Sequence, residues 1–134
     1  MEYRFTKPGA HDEITLIGSR CLDCRGIFFP TRANCSRCFG HRLEDVELSR
    51  LGELRGFTIV RQAPSGYFGP VPYAIGNVTL NDGVSVVCPM AGKAVEEWHA
   101  GDAVAAFVLR LPASRSGEAT VDCFSFQPRR PDDA

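Results

Sequence analysis

Residues 21 to 40 read CLDCRGIFFPTRANCSRCFG. The phrase Cys-x-x-Cys-x-Gly occurs twice in this stretch, as Cys21-Leu-Asp-Cys24-Arg-Gly26 and Cys35-Ser-Arg-Cys38-Phe-Gly40, with ten residues between the inner cysteines. Two thiolates separated by two residues reach one ion from a single tight turn, and a second matched turn completes a tetrahedron. The glycine two places after each pair points to a positive φ at that position. Between the turns, the segment from Gly26 to Arg32 reads as a short strand returning from one to the other, the layout of a zinc ribbon. The gap is short for paired knuckles, and iron accepts the same four thiolates, so a rubredoxin-like iron site stays open beside zinc. A closed four-cysteine site leaves no position for substrate or water, which makes it a fold element and not a catalyst. A redox dithiol needs one exchangeable pair, whereas here two are matched. His41, next to the second turn, is an alternative ligand.

The surrounding composition agrees with a small metal-stapled protein. The chain has 134 residues, 44% hydrophobic and 23% charged, which fits one globular domain with a small appendage and excludes disordered, collagen-like and coiled-coil classes. Its net charge of -1 argues against a general polyanion binder or a membrane-surface protein. The opening MEYRFTKPGAHDE has no apolar signal-like run, and no window approaches a membrane span, so a cytoplasmic protein is expected. In that reducing setting six cysteines favour metal chemistry over disulfides. Charge is unevenly spread: residues 1 to 42 carry seven Lys and Arg against four acids, and the remainder eight against twelve. A four-thiolate zinc centre is itself doubly negative, so the local arginines can simply neutralise it. The sharper alternative is that Arg20, Arg25, Arg32 and Arg37 flank a phosphate-bearing ligand, because guanidinium forks suit phosphate oxygens.

After a connector, His41 to Ser49, short apolar or alternating runs predict five strands: Gly52–Arg61, Tyr73–Leu80, Val84–Met90, Ala103–Leu111 and Ala119–Gln127. Leu80-Asn-Asp-Gly83-Val84 is a hairpin turn, which makes the second and third of these neighbours. Lys93 to Trp98 has room for one or two helical turns before Gly101. Five strands with a short helix between the third and fourth describe an OB-fold barrel. The fold-class expectation is therefore a mainly β chain, an N-terminal rubredoxin-like zinc ribbon followed by that barrel. Its boundaries are an N-terminal segment at 1–18, ribbon at 19–42, barrel at 43–127 and flexible tail at 128–134.

An OB-fold invites a nucleic-acid reading, which the residues do not favour. The barrel half is acidic, and Phe57, Phe107, Phe124 and Phe126 lie in apolar strands that read as core rather than as a base-stacking platform. The unusual segment is Ala63-Pro64-Ser-Gly-Tyr67-Phe68-Gly-Pro-Val-Pro-Tyr73. Its prolines and glycines preclude a regular strand, while Tyr67, Phe68 and Tyr73 are costly to leave in water. A stiff loop of aromatic anchors suits a partner surface; the alternative is that it folds back over its own barrel. Catalytic signals are weak. His11, His41 and His99 lie in predicted loops without a nucleophile beside them, and Cys88 and Cys123 read as small buried hydrophobes.

The ordered parts, CLDCRGIFFPTRANCSRC, then Gly-Phe-Thr-Ile-Val, the proline-aromatic loop, Pro-Tyr-Ala-Ile-Gly and Asp-Gly-Val, resemble the acyl-CoA-associated zinc-ribbon plus OB-fold family, first catalogued as a domain of unknown function. The resemblance covers residues 16 to 127. It implies a small, non-catalytic subunit beside a thiolase-like or hydratase-like enzyme. Such enzymes act on coenzyme A thioesters in fatty-acid, steroid or aromatic breakdown, or in acyl transfer. On that resemblance Cys21, Cys24, Cys35 and Cys38 are the zinc ligands, and the catalytic residues belong to the partner. Pro64, Tyr67, Phe68 and Tyr73 would face that partner, with Arg32 or Arg37 near coenzyme A phosphates. Members usually carry an amino-terminal helix before the ribbon and prolines around the second knuckle. This chain has only a short segment to Lys7, with Thr31 after Pro30 and Ser36 between its cysteines. Two other readings are kept: a free-standing acyl-CoA binding module, which would bind coenzyme A alone, and a single-strand nucleic-acid binder, whose affinity would fall steeply with salt.

Overall fold

Alternation of buried and exposed side chains builds the strands of the C-terminal half. In the computed structural model, which describes residues 3–130, the strand Tyr73–Leu80 (β6) buries Ala74, Gly76, Val78 and Leu80, and Ser85–Met90 (β7) buries Val86, Cys88 and Met90. The two pair antiparallel across the expected hairpin, where Gly83 takes φ +90° and its N–H donates to the Leu80 carbonyl at 2.8 Å. Gly76 is required by crowding: a Cβ there would stand 2.7 Å from both Leu54 Cδ1 and Met90 Sδ.

Leu51–Val60 (β5), Ala103–Pro112 (β8) and Thr120–Pro128 (β9) complete a closed barrel in the order β5-β6-β7-β9-β8. The contact between β7 and β9 is parallel and limited to Met90 opposite Phe126. That order, with one parallel contact, is the OB-fold arrangement. A bulge between Leu54 and Gly56 bends β5, so that it pairs with β6 along its length but with β8 only over Leu51–Glu53. The segment between β7 and β8 holds a single 3-10 turn, Val95–Glu97, in place of the expected helix. It carries Trp98, 2% exposed, into the base of the barrel, with Lys93 Nζ 4.4 Å from the centre of its ring.

The N-terminal half forms a second small sheet. Leu16–Cys21 (β2) pairs with Arg4–Phe5 (β1), with Ile27–Phe28 (β3) and with Leu43–Glu47 (β4). The stretch read as a connector therefore contains a strand: β4 runs antiparallel to β2 from Ile17–Glu47 to Cys21–Leu43. Its alternation is interrupted by the consecutive acids Glu44 and Asp45, which project to opposite faces and pair with Arg20 and Arg4 respectively. The returning strand is shorter than expected, two residues in place of Gly26–Arg32.

Ribbon and barrel share one core. Ile14, Leu16 and Leu48 lie in the same buried cluster as Leu54, Val104 and Phe126, with Ile27, Phe29 and Val46 packed against it. Tyr3, Phe29 and Phe124 form an aromatic cluster with centroids 5.5–5.7 Å apart that joins the N-terminal segment, ribbon and β9. The N-terminal segment also pairs along β8 through Glu13 opposite Phe107. Phe107, Phe124 and Phe126 are buried as expected, but Phe57 is not: it is 38% exposed, because β5 has left β8 before reaching it. Of the tail, Pro128 ends β9, and Arg130 donates to the His11 carbonyl at 3.0 Å and covers the Phe107 ring. Residues 131–134, also read as flexible tail, lie outside the described residues.

Candidate metal centre and partner surface

Each cysteine pair sits on the same backbone device. The Cys21 N–H donates to the Gly26 carbonyl and the Arg25 N–H to the Cys21 carbonyl, at 2.9 and 2.8 Å; Cys35, Gly40 and Phe39 repeat the pattern at 2.9 and 3.0 Å. The positive φ falls one residue earlier than expected, on Arg25 (63°) and Phe39 (61°). The glycines serve a different need. A Cβ on Gly40 would lie 2.8 Å from Asp23 Oδ2 and 3.3 Å from Cys38 Sγ, and one on Gly26 would press on Phe28 and Arg37.

These turns bring the ligand atoms of Cys21, Cys24, Cys35 and Cys38 within 4.8 Å of one another, with Cys21–Cys38 at 3.6 Å and Cys24–Cys35 at 3.5 Å. A tetrahedral ion at a zinc–sulfur distance of about 2.3 Å sets its sulfurs about 3.8 Å apart, so the four sulfurs fit zinc. The Cys38 and Arg37 N–H groups point at Cys35 Sγ from 3.4 and 3.3 Å and hold that thiol down at about 6. Cys21 is lowered by the N–H groups of Cys24 and Asp23. At Cys38 the Gly40 N–H favours the thiolate, but the neighbouring sulfurs of Cys21 and Cys35 outweigh it and push the thiol up to about 12. The crowded sulfurs thus oppose full ionisation of the cluster, and a dication is what allows four thiolates to coexist. His41 is not part of the cluster; its Nδ1 meets Asn34 Oδ1. Arg42 and Asp23 form an ion pair that ties the two knuckles together.

Of the ribbon arginines only Arg20 and Arg25 share a cleft, beside Cys21 and Glu44, and Arg32 and Arg37 do not line it. Arg20 is paired with Glu44, Arg32 lies over the Phe28 ring at 5.2 Å with its backbone N–H on Ser19 Oγ, and the Arg37 stem packs by Gly26. Arg25, Arg32 and Arg37 are exposed.

The aromatic loop lies on the barrel, apart from the metal cluster. Tyr67 and Tyr73 approach at 4.8 Å between ring centroids, the Tyr67 N–H donates to the Pro64 carbonyl, and its hydroxyl donates to the Pro70 carbonyl at 2.8 Å. The two rings roof a cleft of about 320 Å³ whose floor and walls are Ile75, Pro89, Met90, Val95, Leu109 and Leu111, with Lys93 its single charged residue. Pro64 and Phe68 do not line it; Phe68 is 38% exposed. Arg32 and Arg37 do not line it either. Lys93 is held by Asp102 at 3.0 Å, and the Asp102 carboxyl is lowered by the His99 N–H and then by Lys93. Sequence reading found the loop but missed Lys93 and the leucines, because the loop, β6, β7, β8 and the segment between β7 and β8 all meet there.

Cys88 is buried in the core, which pushes its thiol up to about 12, and Cys123 is half-buried with its Sγ on the Leu109 carbonyl. Among the described residues neither has a cationic neighbour that lowers its thiol; Asp122 instead raises that of Cys123.

Two family models divide the chain between them: the ChsH2 rubredoxin-like zinc ribbon domain matches residues 10–44, and the ChsH2 C-terminal OB-fold domain matches residues 45–108. The chain belongs to this zinc-ribbon plus OB-fold family. Among its relatives is a DUF35 domain-containing scaffold protein of Methanocaldococcus jannaschii, 26% identical over 114 residues that span 84% of this chain and 81% of that protein. Another is the benzoylsuccinyl-CoA thiolase subunit BbsA of Thauera aromatica, 31% identical over 77 residues, 58% of this chain and 52% of that subunit. A solved Ltp2-ChsH2(DUF35) aldolase superposes with a TM-score of 0.66 at 23% identity, covering 85% of this chain and 84% of that one. The family's two-part architecture, metal ribbon then barrel, is the one described above. No helix of the described residues is long and apolar enough to cross a membrane.

Proposed function

We propose that this chain is an accessory subunit of a thiolase-like or hydratase-like enzyme acting on coenzyme A thioesters, and that it supplies shape, orientation and assembly in place of a catalytic side chain. The observation that carries the reading is its likeness to a thiolase subunit, BbsA. The scaffold proteins among its relatives support it further. In this reading Cys21, Cys24, Cys35 and Cys38 hold zinc as a structural staple, which keeps the ribbon at a fixed angle to the barrel. Pro64, Tyr67, Phe68 and Tyr73 pack on the catalytic partner, their aromatic surface pre-stiffened by the neighbouring prolines.

The physical contribution is positional. A coenzyme A thioester has an anionic nucleotide end and an apolar acyl end, and fixing both at a distance from the reacting carbon raises the rate without a new catalytic group. Exposed Arg32 or Arg37 would meet the phosphates from the ribbon side. The test is co-expression with a thiolase-like gene from the same operon, followed by purification and turnover with and without this chain. A stable complex with raised turnover is expected; no complex and unchanged turnover end the proposal.

The apolar cleft beneath Tyr67 and Tyr73 favours one second reading, a free-standing acyl-CoA binding module. Calorimetry separates the two. Tight binding of coenzyme A thioester to the isolated chain supports the module, and binding only in the presence of the partner supports the subunit.

A further inference from the structure

The free edge of β5 is the feature that neither the metal centre nor the cleft accounts for. The strand is paired with β6 from Gly52 to Val60, but its other edge meets β8 only through Leu51–Glu53. The last bonds on that side belong to Leu54, whose N–H donates to the Asp102 carbonyl at 2.9 Å and whose carbonyl accepts from Gly101 at 2.7 Å. Beyond the bulge, from Gly56 to Val60, no backbone hydrogen bond is made on this edge among the described residues. The segment is Gly56-Phe-Thr-Ile-Val60, uncharged and rich in β-branched and aromatic residues, with Phe57 and Thr58 exposed. Edges of this composition recruit other strands unless they are covered, bulged or charged.

Here the charges stand only at the two ends, Arg55 and Arg61, both exposed. Their placement selects the occupant. If a second copy paired antiparallel about Thr58, Arg55 of one chain would face Arg61 of the other, and like charges directly opposite destabilise a strand pair. A strand bracketed by carboxylates meets two guanidiniums instead. Arg55 contacts Glu53 at 3.3 Å and its Nε donates to Thr79 Oγ1 of β6, exposed contacts that it would exchange for an incoming carboxylate, whereas Arg61 makes no ion pair among the described residues and is available to such a strand directly. The edge leads directly into the aromatic loop, so a chain laid along it continues onto the surface assigned above to the partner.

We infer that residues Gly56–Val60 are a strand-addition site for an extended, acid-flanked segment of another polypeptide, held by main-chain hydrogen bonds with Arg55 and Arg61 setting register and specificity. The inference extends the subunit reading to a named contact, and its test uses this chain alone, so either can fail without the other. The zinc-loaded full chain is followed by amide hydrogen exchange while a short synthetic peptide of alternating valine and threonine, bracketed by aspartates, is added. The expected result is slowing of about tenfold or more confined to Gly56–Val60, absent with the same peptide bracketed by lysines. Arg61→Glu alone, and Arg55→Glu with Arg61→Glu, reverse that preference. Equal effects of both peptides, protection elsewhere, or no protection overturn the inference. So does concentration-dependent protection in the chain without peptide, which would assign the edge to a second copy.

Discussion

Cys88 and the cluster cysteines differ in what surrounds the sulfur, and that difference sets their reactivity. Cys88 lies in the core with its thiol at about 12, so its thiolate remains a minute fraction of the population from pH 7 to pH 9. Cys123 is raised in the same direction, by burial first and then by Asp122. An aromatic disulfide reagent should therefore find no fast-reacting thiol in the zinc-loaded chain, and should react with cluster thiols, Cys21 and Cys35 before Cys38, once a chelator has removed the metal. Rapid reaction of Cys88 in the folded protein would contradict its burial. Gly40 makes a second, sharper case. Since a Cβ there meets Cys38 Sγ and an Asp23 oxygen, Gly40→Ala should weaken metal retention measurably in a competition with a chromophoric chelator. Phe39 next door is 78% exposed, and Phe39→Ala should change stability by only a few tenths of a kcal/mol.

The segment between β7 and β8 is held by polar contacts instead of helical repeats. Asp102 accepts from the His99 N–H at 2.9 Å and from Lys93, and its carboxyl lies below the ordinary 3.8. A carboxyl with a depressed folded value stabilises the fold fully above its unfolded pKa and loses that contribution as pH falls through the lower, folded value. The stability gap between the parent chain and Asp102→Asn should thus be constant at neutral pH and close on acidification below about 4, as read by urea melts across that range. A gap that widens in acid would reverse the assignment. The aromatic seam gives a second expectation for the joined elements. Phe29 touches both Tyr3 and Phe124, and Phe29→Ala should cost about 1–3 kcal/mol, below the value for a fully enclosed ring because Phe29 is only part-buried.

One core beneath ribbon and barrel means that metal and barrel stability are coupled. Ile14, Leu16 and Leu48 belong to the same buried cluster as Val104 and Phe126, so loosening the ribbon exposes barrel side chains. Chelation should lower the melting temperature of a single cooperative transition, as followed by calorimetry and by near-ultraviolet dichroism of Trp98 in the base of the barrel. Two separated transitions, with Trp98 unaffected by chelation, would show that the halves fold independently. Tyr67→Ala and Tyr73→Ala belong to the same assembly. They should leave melting nearly unchanged yet weaken binding to a catalytic partner, since both rings face the cleft and not the core.

The paired cysteine turns, the Asp82-Gly83 hairpin and the alternation in β6 and β7 were legible in the chain because each depends on residues a few positions apart. Spacing by two or three residues is local geometry, and it determines a ligand turn, a hairpin or a strand face wherever the segment lies. β4 escaped that reading because the adjacent acids Glu44 and Asp45 interrupt its alternation, and its partner, β2, is distant in sequence. The exposure of Phe57, the cleft built from Tyr73, Lys93 and Leu111, and the unpaired edge of β5 follow from where β5 leaves β8 and where β7 parts from β9. Burial and pairing are properties of what lies opposite, and the opposing group here comes from elements 20 to 50 residues away, so only the closed barrel could assign them.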